Sequence, residues 1–169
     1  MAPLLARAGI SPLWIVDKEY LDVENVTRNY LCAEDLGQPK ALALAARLNR
    51  ELPWCRAEGI DEDFLEMTEA EQPRLVARAD VVVAATDEAA CQRPVNAICV
   101  AAGAPAVFPA VWVDPGRVRH AEVGEILWMV PGSGPRSPPV VGRLATSAGC
   151  RSGGHRRTRK QCRVVKPGG

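Results

Sequence analysis

Apolar residues in this chain fall into short blocks whose spacing changes from one block to the next. The run "LWIV" does not alternate and predicts a strand over Leu13–Asp17. Before it, "PLLARAG" reads as the last turns of a helix capped by Gly9. The clearest helix lies over Pro39–Leu52, where Leu42, Ala45, Leu48 and Leu52 recur at helical spacing and Pro39 suits a first helical position. A weaker strand is expected at Arg56–Ile60, and the acidic residues 61–78 predict short helices.

The second half repeats the alternation. "ADVVVAATD", residues 79–87, has the continuous apolar character of a parallel strand buried on both faces. "RPVNAICVAAG" predicts a helix ending at Gly103 and starting near Pro94, because an interior proline costs about 3 kcal/mol. "PAVFPAVWV" is another strand, and "EVGEILWMV", residues 122–130, the second half of a hairpin. Strands alternating with helices predict an α/β fold, Rossmann-like, with a mostly parallel sheet and a C-terminal β-hairpin.

Charge divides the chain in two. All 20 acids lie at or before Glu125, whereas nine of the 21 Lys and Arg lie after it. Residues 132–169 contain no acid and many Gly, Pro, Ser and Arg. Such a stretch buries too little apolar surface to offset its ordering entropy, so a disordered basic tail is expected after a folded domain over 1–131. Its run "HRRTRK" lacks aromatic residues for base stacking, and nucleic-acid binding through the tail is not expected.

No apolar run is long enough to span a bilayer, and residues 1–10 are too short and too weakly basic for a secretory signal, so a cytoplasmic protein is expected. None of the six cysteines is spaced as CxxC, and Cys91 and Cys99 read as small core residues.

Candidate chemistry gathers after the first strand. In open α/β sheets ligands bind outside the carboxyl ends of the strands, and an acid there can accept hydrogen bonds from a ribose. Asp17 has that position, though an acid there serves equally as a loop residue or helix cap. Asn25, Arg28 and Lys40 follow; an amide and two cations suit phosphate oxygens, although Arg28 and Lys40 taken alone read as solvated charges. Asp87 also ends an apolar strand and could hold Mg²⁺ or cap the next helix.

Together these residues resemble the ThiF/MoeB/HesA family of ubiquitin-activating-enzyme-like adenylyltransferases. The shared pattern is an apolar strand, Asp17, Asn25, Arg28 and "LGQPK" with Lys40, followed by "ADVVVAATDEAACQRPVNAICVAAGAP", which is similar to the segment bearing "TDN" and a later "G-x-P". The resemblance spans about residues 1–131. It implies ATP- and Mg²⁺-dependent adenylation of the C-terminal carboxylate of a ubiquitin-like or sulfur-carrier protein that ends in Gly-Gly. It further implies that Asp17 binds the ribose, that Asn25, Arg28 and Lys40 hold the phosphates, that Asp87 binds Mg²⁺, and that the subunits pair as homo- or heterodimers.

The chain also departs from the pattern. The family's Gly-rich phosphate loop and the strand before it are not found, so the sheet is expected to lack its first strand. Residue 88 is Glu where "TDN" has Asn, and Arg93 stands one place late. No CxxC follows "PGSGP", so structural zinc is not expected. The expectation is therefore an N-terminally truncated adenylyltransferase-type domain, whose activity in this chain is open to defect because the Gly-rich loop is missing. Its alternative is a non-catalytic nucleotide-binding or scaffolding fragment that pairs with an intact paralogue.

Overall fold

The computed structural model describes residues 1–86, 89–114, 121–130, 132, 140–148 and 161–165. The chain divides into two units, Met1–Thr68 and Glu69–Gly169.

In the first unit the order is α1 (Ala2–Arg7), β1 (Leu13–Val16), α2 (Val23–Val26), a 3-10 turn (Ala33–Asp35), α3 (Lys40–Glu51) and β2 (Ala57–Ile60). The strands β1 and β2 pair in parallel, from Leu13 opposite Ala57 to Val16 opposite Ile60. Alternate residues of a strand face opposite sides. Leu13 and Ile15 accordingly pack with Ala57 against a core of Ala6, Leu48 and Cys55, which α1 and α3 help to build. Complete burial of Leu48 contributes about 1.5–3 kcal/mol.

The buried stripe of α3 differs from the expected one at its start. Ala41, Ala45 and Leu48 face inward, but Leu42 is 45% exposed. The first turn of α3 lies so close to β2 that a Cβ on Gly59 would come within 2.4 Å of the Ala41 carbonyl oxygen. Only small residues on the facing stripe allow such an approach, so Ala41 turns inward and Leu42 outward.

A polar cluster joins α1 to α3. The guanidinium groups of Arg7 and Arg47 lie 5.2 and 5.7 Å from the centre of the Tyr30 ring. Arg47 pairs with Asp35 at 3.0 Å and Glu51 at 2.8 Å, and the Tyr30 hydroxyl donates to Glu51.

In the second unit the order is α4 (Glu71–Ala77), β3 (Val82–Val83), α5 (Ala89–Ala102), β4 (Ala106–Asp114), β5 (Ala121–Val130), β6 (Val140–Ala148) and β7 (Gln161–Val165). β3 pairs in parallel with β4, and β4 to β7 continue as an antiparallel meander in chain order. The expected hairpin is β4–β5. Within the stretch expected to be a disordered tail, β6 and β7 are strands, Gly132 is in neither, and the other residues lie outside the described set.

Two further details differ from expectation. Of the described residues in 79–86, Val82 and Val83 form β3 and the Ala84 amide adds a rung to the Val107 carbonyl at 2.9 Å, while Val81 is 43% exposed rather than buried. The helix α5 spans Ala89–Ala102, which places Pro94 inside it. Proline lacks the N–H that would bond the carbonyl four residues earlier, that of Ala90. Both Ala90 and Pro94 are exposed, so water can satisfy that carbonyl. Cys99 is fully buried, as expected of a core cysteine, and burial pushes its thiol up from the ordinary range; Cys91 is half-buried.

No helix among the described residues is long and apolar enough to cross a membrane.

Candidate functional site

The site is built where the chain leaves β1. The Asp17 amide still bonds the Ile60 carbonyl at 3.2 Å, as the last rung of the parallel ladder. Its carboxylate Oδ1 accepts from the Glu19 amide at 2.9 Å, which turns the chain away from the strand. The second Asp17 oxygen has no hydrogen bond among the described residues, and the side chain is half-buried at the carboxyl end of β1.

Residues 19–21 then run antiparallel to residues 37–40. An isolated bridge joins Tyr20 to Pro39, flanked by Leu21 N–H to the Gln38 carbonyl at 2.9 Å and Lys40 N–H to the Glu19 carbonyl at 2.8 Å. Gly37 makes the return possible. Its φ of 76° lies in the left-handed region, which costs a side-chain-bearing residue, and its amide bonds the Leu21 carbonyl at 2.9 Å. This clasp sets the start of α3, and hence Lys40, beside the exit of β1.

Asp22 has a different job from its neighbours. Its carboxylate caps α2 by accepting from the Val23 amide at 2.5 Å. The short helix α2 carries Asn25; the Arg28 amide closes it on the Asn25 carbonyl at 3.1 Å.

The side chains of Asn25 and Lys40 meet. Lys40 Nζ donates to Asn25 Oδ1 at 2.8 Å and to the Glu19 carboxylate. An ammonium can only donate, so the amide oxygen of Asn25 must face it, and the Asn25 NH₂ points its two donors elsewhere. Lys40 is only 11% exposed, which requires its charge to be paired. Glu19 supplies that pairing from the solvent side and is 64% exposed. The Lys40 hydrogen bond, then the Lys40 charge, hold the Glu19 carboxyl below the ordinary carboxylate range, with Lys18 and Arg28 adding to the effect.

Arg28 is exposed, and no ion pair among the described residues uses its guanidinium. It stands two residues beyond α2, close enough for its charge to act on Glu19. Lys18, by contrast, points to Asp63, at 2.5 Å.

Of the residues read from the sequence, Asn25 and Lys40 are in direct contact, Asp17 lies at the strand end that leads to their partner Glu19, and Arg28 faces solvent nearby. Asp87 lies outside the described residues. Glu19 carried no assigned role in the sequence; its only signal was that it belongs to the acidic cluster after the strand. Among the described residues no group of three His, Cys, Asp or Glu could hold a metal ion.

An acid at the carboxyl end of a parallel strand, with an amide, a lysine and an arginine beside it, suits a Rossmann-like α/β protein that handles an anionic ligand. The chain belongs to the ThiF family, whose model matches residues 1–139. It is 30% identical over 128 residues to the sulfur carrier protein adenylyltransferase of Thermus thermophilus, covering 71% of this chain and 46% of that protein. It is 32% identical over 104 residues to the sulfur carrier protein ThiS adenylyltransferase of Escherichia coli, covering 61% and 40%. It is 35% identical over 131 residues to the adenylyltransferase and sulfurtransferase MOCS3 of Sus scrofa, covering 73% and 27%. The chain thus spans less than half the length of these relatives. Its fold is similar to the crystal structure of selenomethionine PaaA, with a TM-score of 0.56 at 17% identity, covering 73% of this chain and 35% of that one.

Proposed function

We propose that this protein binds ATP at the exit of β1 and takes part in adenylating the C-terminal carboxylate of a ubiquitin-like or sulfur-carrier protein. The observation that carries the reading is the nearly buried Lys40 ammonium, held by Asn25 and Glu19 beside the strand end that bears Asp17. Membership of the ThiF family and the names of the related adenylyltransferases support it.

The donor set fits a nucleotide polyphosphate. Lys40 and Arg28 are cations, and the Asn25 NH₂ offers directed donors that a phosphate oxygen can accept. The second oxygen of Asp17 would accept from ribose hydroxyls. In the proposed reaction a carboxylate oxygen of the carrier bonds to the α-phosphorus of ATP while the bond to the β-phosphate oxygen breaks. The charge that builds on departing pyrophosphate is then offset by Arg28 and Lys40, which is electrostatic stabilisation by groups already in place. Mg²⁺ binds through one or two carboxylates plus substrate phosphates, and Asp87 is the residue we assign to it. The carrier would end in Gly-Gly, and the protein would act in the cytoplasm as a homo- or heterodimer.

The test is calorimetric titration of ATP into the full chain, with ATP–pyrophosphate exchange measured in the presence of a Gly-Gly-ended sulfur-carrier protein. The expected outcome is ATP binding that Lys40→Ala weakens at least about tenfold, as loss of a hydrogen bond from a charged group predicts. Binding that Lys40→Ala leaves unchanged would refute the site. Exchange would exclude the alternative, a nucleotide-binding scaffold that pairs with an intact paralogue, whereas binding without exchange fits both that scaffold and a defective adenylyltransferase.

A further inference from the structure

Glu19 has a place in this site that the proposed chemistry does not use. Its carboxylate sits on Lys40 Nζ, on the side open to solvent. We propose that Glu19 is a built-in stand-in for phosphate: it neutralises Lys40 while no nucleotide is bound and yields that cation to an incoming polyphosphate. The inference rests on the reading of Lys40 as a phosphate-binding residue and deepens it.

Three observations support it. First, the exposures are unequal: Lys40 is 11% exposed and Glu19 64%. A carboxylate on the solvent side can rotate away, while the ammonium stays in place. Second, Lys40 has an anchor that does not depend on the Glu19 side chain, because Asn25 Oδ1 holds the same nitrogen at 2.8 Å. Third, the backbone of Glu19 is fixed independently of its carboxylate. Its carbonyl accepts from the Lys40 amide at 2.8 Å and its own amide donates to Asp17 at 2.9 Å. Displacing the carboxylate therefore leaves the clasp between β1 and α3 intact.

Electrostatics make the exchange favourable for a highly charged ligand. The charged groups around the Glu19 carboxylate are Lys40, Lys18 and Arg28, with Asp17 bonded to its amide. A single carboxylate offers one charge to this cluster. A polyphosphate brings several, so it can outcompete Glu19 where a lone chloride or a simple carboxylate cannot. In this arrangement Glu19 acts as a positioning residue, which pairs a nearly buried ammonium until nucleotide arrives and sets a threshold of charge for entry.

The test uses the full chain and inorganic tripolyphosphate without metal, titrated calorimetrically. Glu19→Gln keeps an oxygen able to accept from Lys40 but removes the competing charge. It is expected to tighten binding about two- to fivefold, the fold-change that corresponds to the worth of an exposed ion pair. Glu19→Ala, the second variant, should tighten binding likewise. Glu34→Gln, on the exposed 3-10 turn, removes the same charge elsewhere and should leave binding unchanged.

The decisive comparison is the double variant. If Glu19 acts through Lys40, then Glu19→Gln has no effect in a Lys40→Ala background. Binding that Lys40→Ala weakens but neither Glu19 variant tightens would overturn the stand-in role and leave the Lys40 reading untouched. Equal tightening with and without Lys40, or by Glu34→Gln, would overturn it too, because the effect would then be one of general charge. Failure of wild type and both Glu19 variants to bind tripolyphosphate would overturn both readings.

Discussion

A Cβ placed on Gly59 would lie 2.4 Å from the carbonyl oxygen of Ala41 and 2.7 Å from the Cα of Leu42. The atoms it would meet belong to backbone and cannot rotate aside. The contact joins β2 to the first turn of α3, one residue after Lys40, so it fixes the height of the site above the sheet.

Gly59→Ala should therefore destabilise the first unit by about 1–3 kcal/mol, the usual cost of overpacking. A lower urea midpoint would register this. ATP affinity should fall as well, since a shift of α3 that relieves the clash carries Lys40 away from β2. An unchanged midpoint would mean that the helix has room to move.

Arg28→Ala separates binding from folding. The side chain is exposed and lies outside the core, so the unfolding free energy should change by no more than about 0.5 kcal/mol. Calorimetric ATP affinity should nevertheless decrease. Equal ATP binding by wild type and variant would remove Arg28 from the site.

Acid should loosen the cluster around Arg47. The Asp35 carboxyl is held below the ordinary range, chiefly by the Cys32 amide, then by the Cys32 thiol and the Arg47 charge. Asp63 is held low by the Lys18 ammonium and then by the Leu65 amide. A depressed folded pKa means that the unfolded chain binds protons first as pH falls. The stabilisation is thus complete above the unfolded carboxylate value, about 3.9, and is lost as pH drops through the folded one. Urea midpoints compared between pH 6 and pH 3 should fall less for Asp35→Asn than for wild type.

Pro94→Ala restores an N–H that can bond the Ala90 carbonyl within α5. At an exposed position this should raise the thermal midpoint and slightly strengthen the helical circular dichroism signal, by an effect smaller than the roughly 3 kcal/mol of a mid-helix proline. Proline also restricts the unfolded chain, which reduces the gain. A lower midpoint would show that the ring packs where the alanine cannot.

Much of the first unit was legible along the chain. The block "LWIV", the helix after Pro39 and the strand before Asp61 all lie where local pattern puts them, because each depends on residues within a turn or two. The inward stripe of α3 was legible only in part. Hydropathy favours Leu42 as a core residue, but the close approach at Gly59 admits only a small side chain, and that constraint comes from a strand some seventeen residues later. Likewise Pro94 argued for a helix start that exposure to water made unnecessary.

The same division runs through the site. The sequence alone determined the α/β class, the family resemblance and the candidates Asp17, Asn25, Arg28 and Lys40, since residue type and spacing carry that information. Only the tertiary structure decided that Lys40 is nearly buried, that Asn25 turns its oxygen toward it, and that Glu19 supplies the opposing charge. Those facts depend on the clasp at Tyr20 and Pro39, which joins residues far apart in the chain. The charge on a side chain is a local property, but its partner is set by the fold.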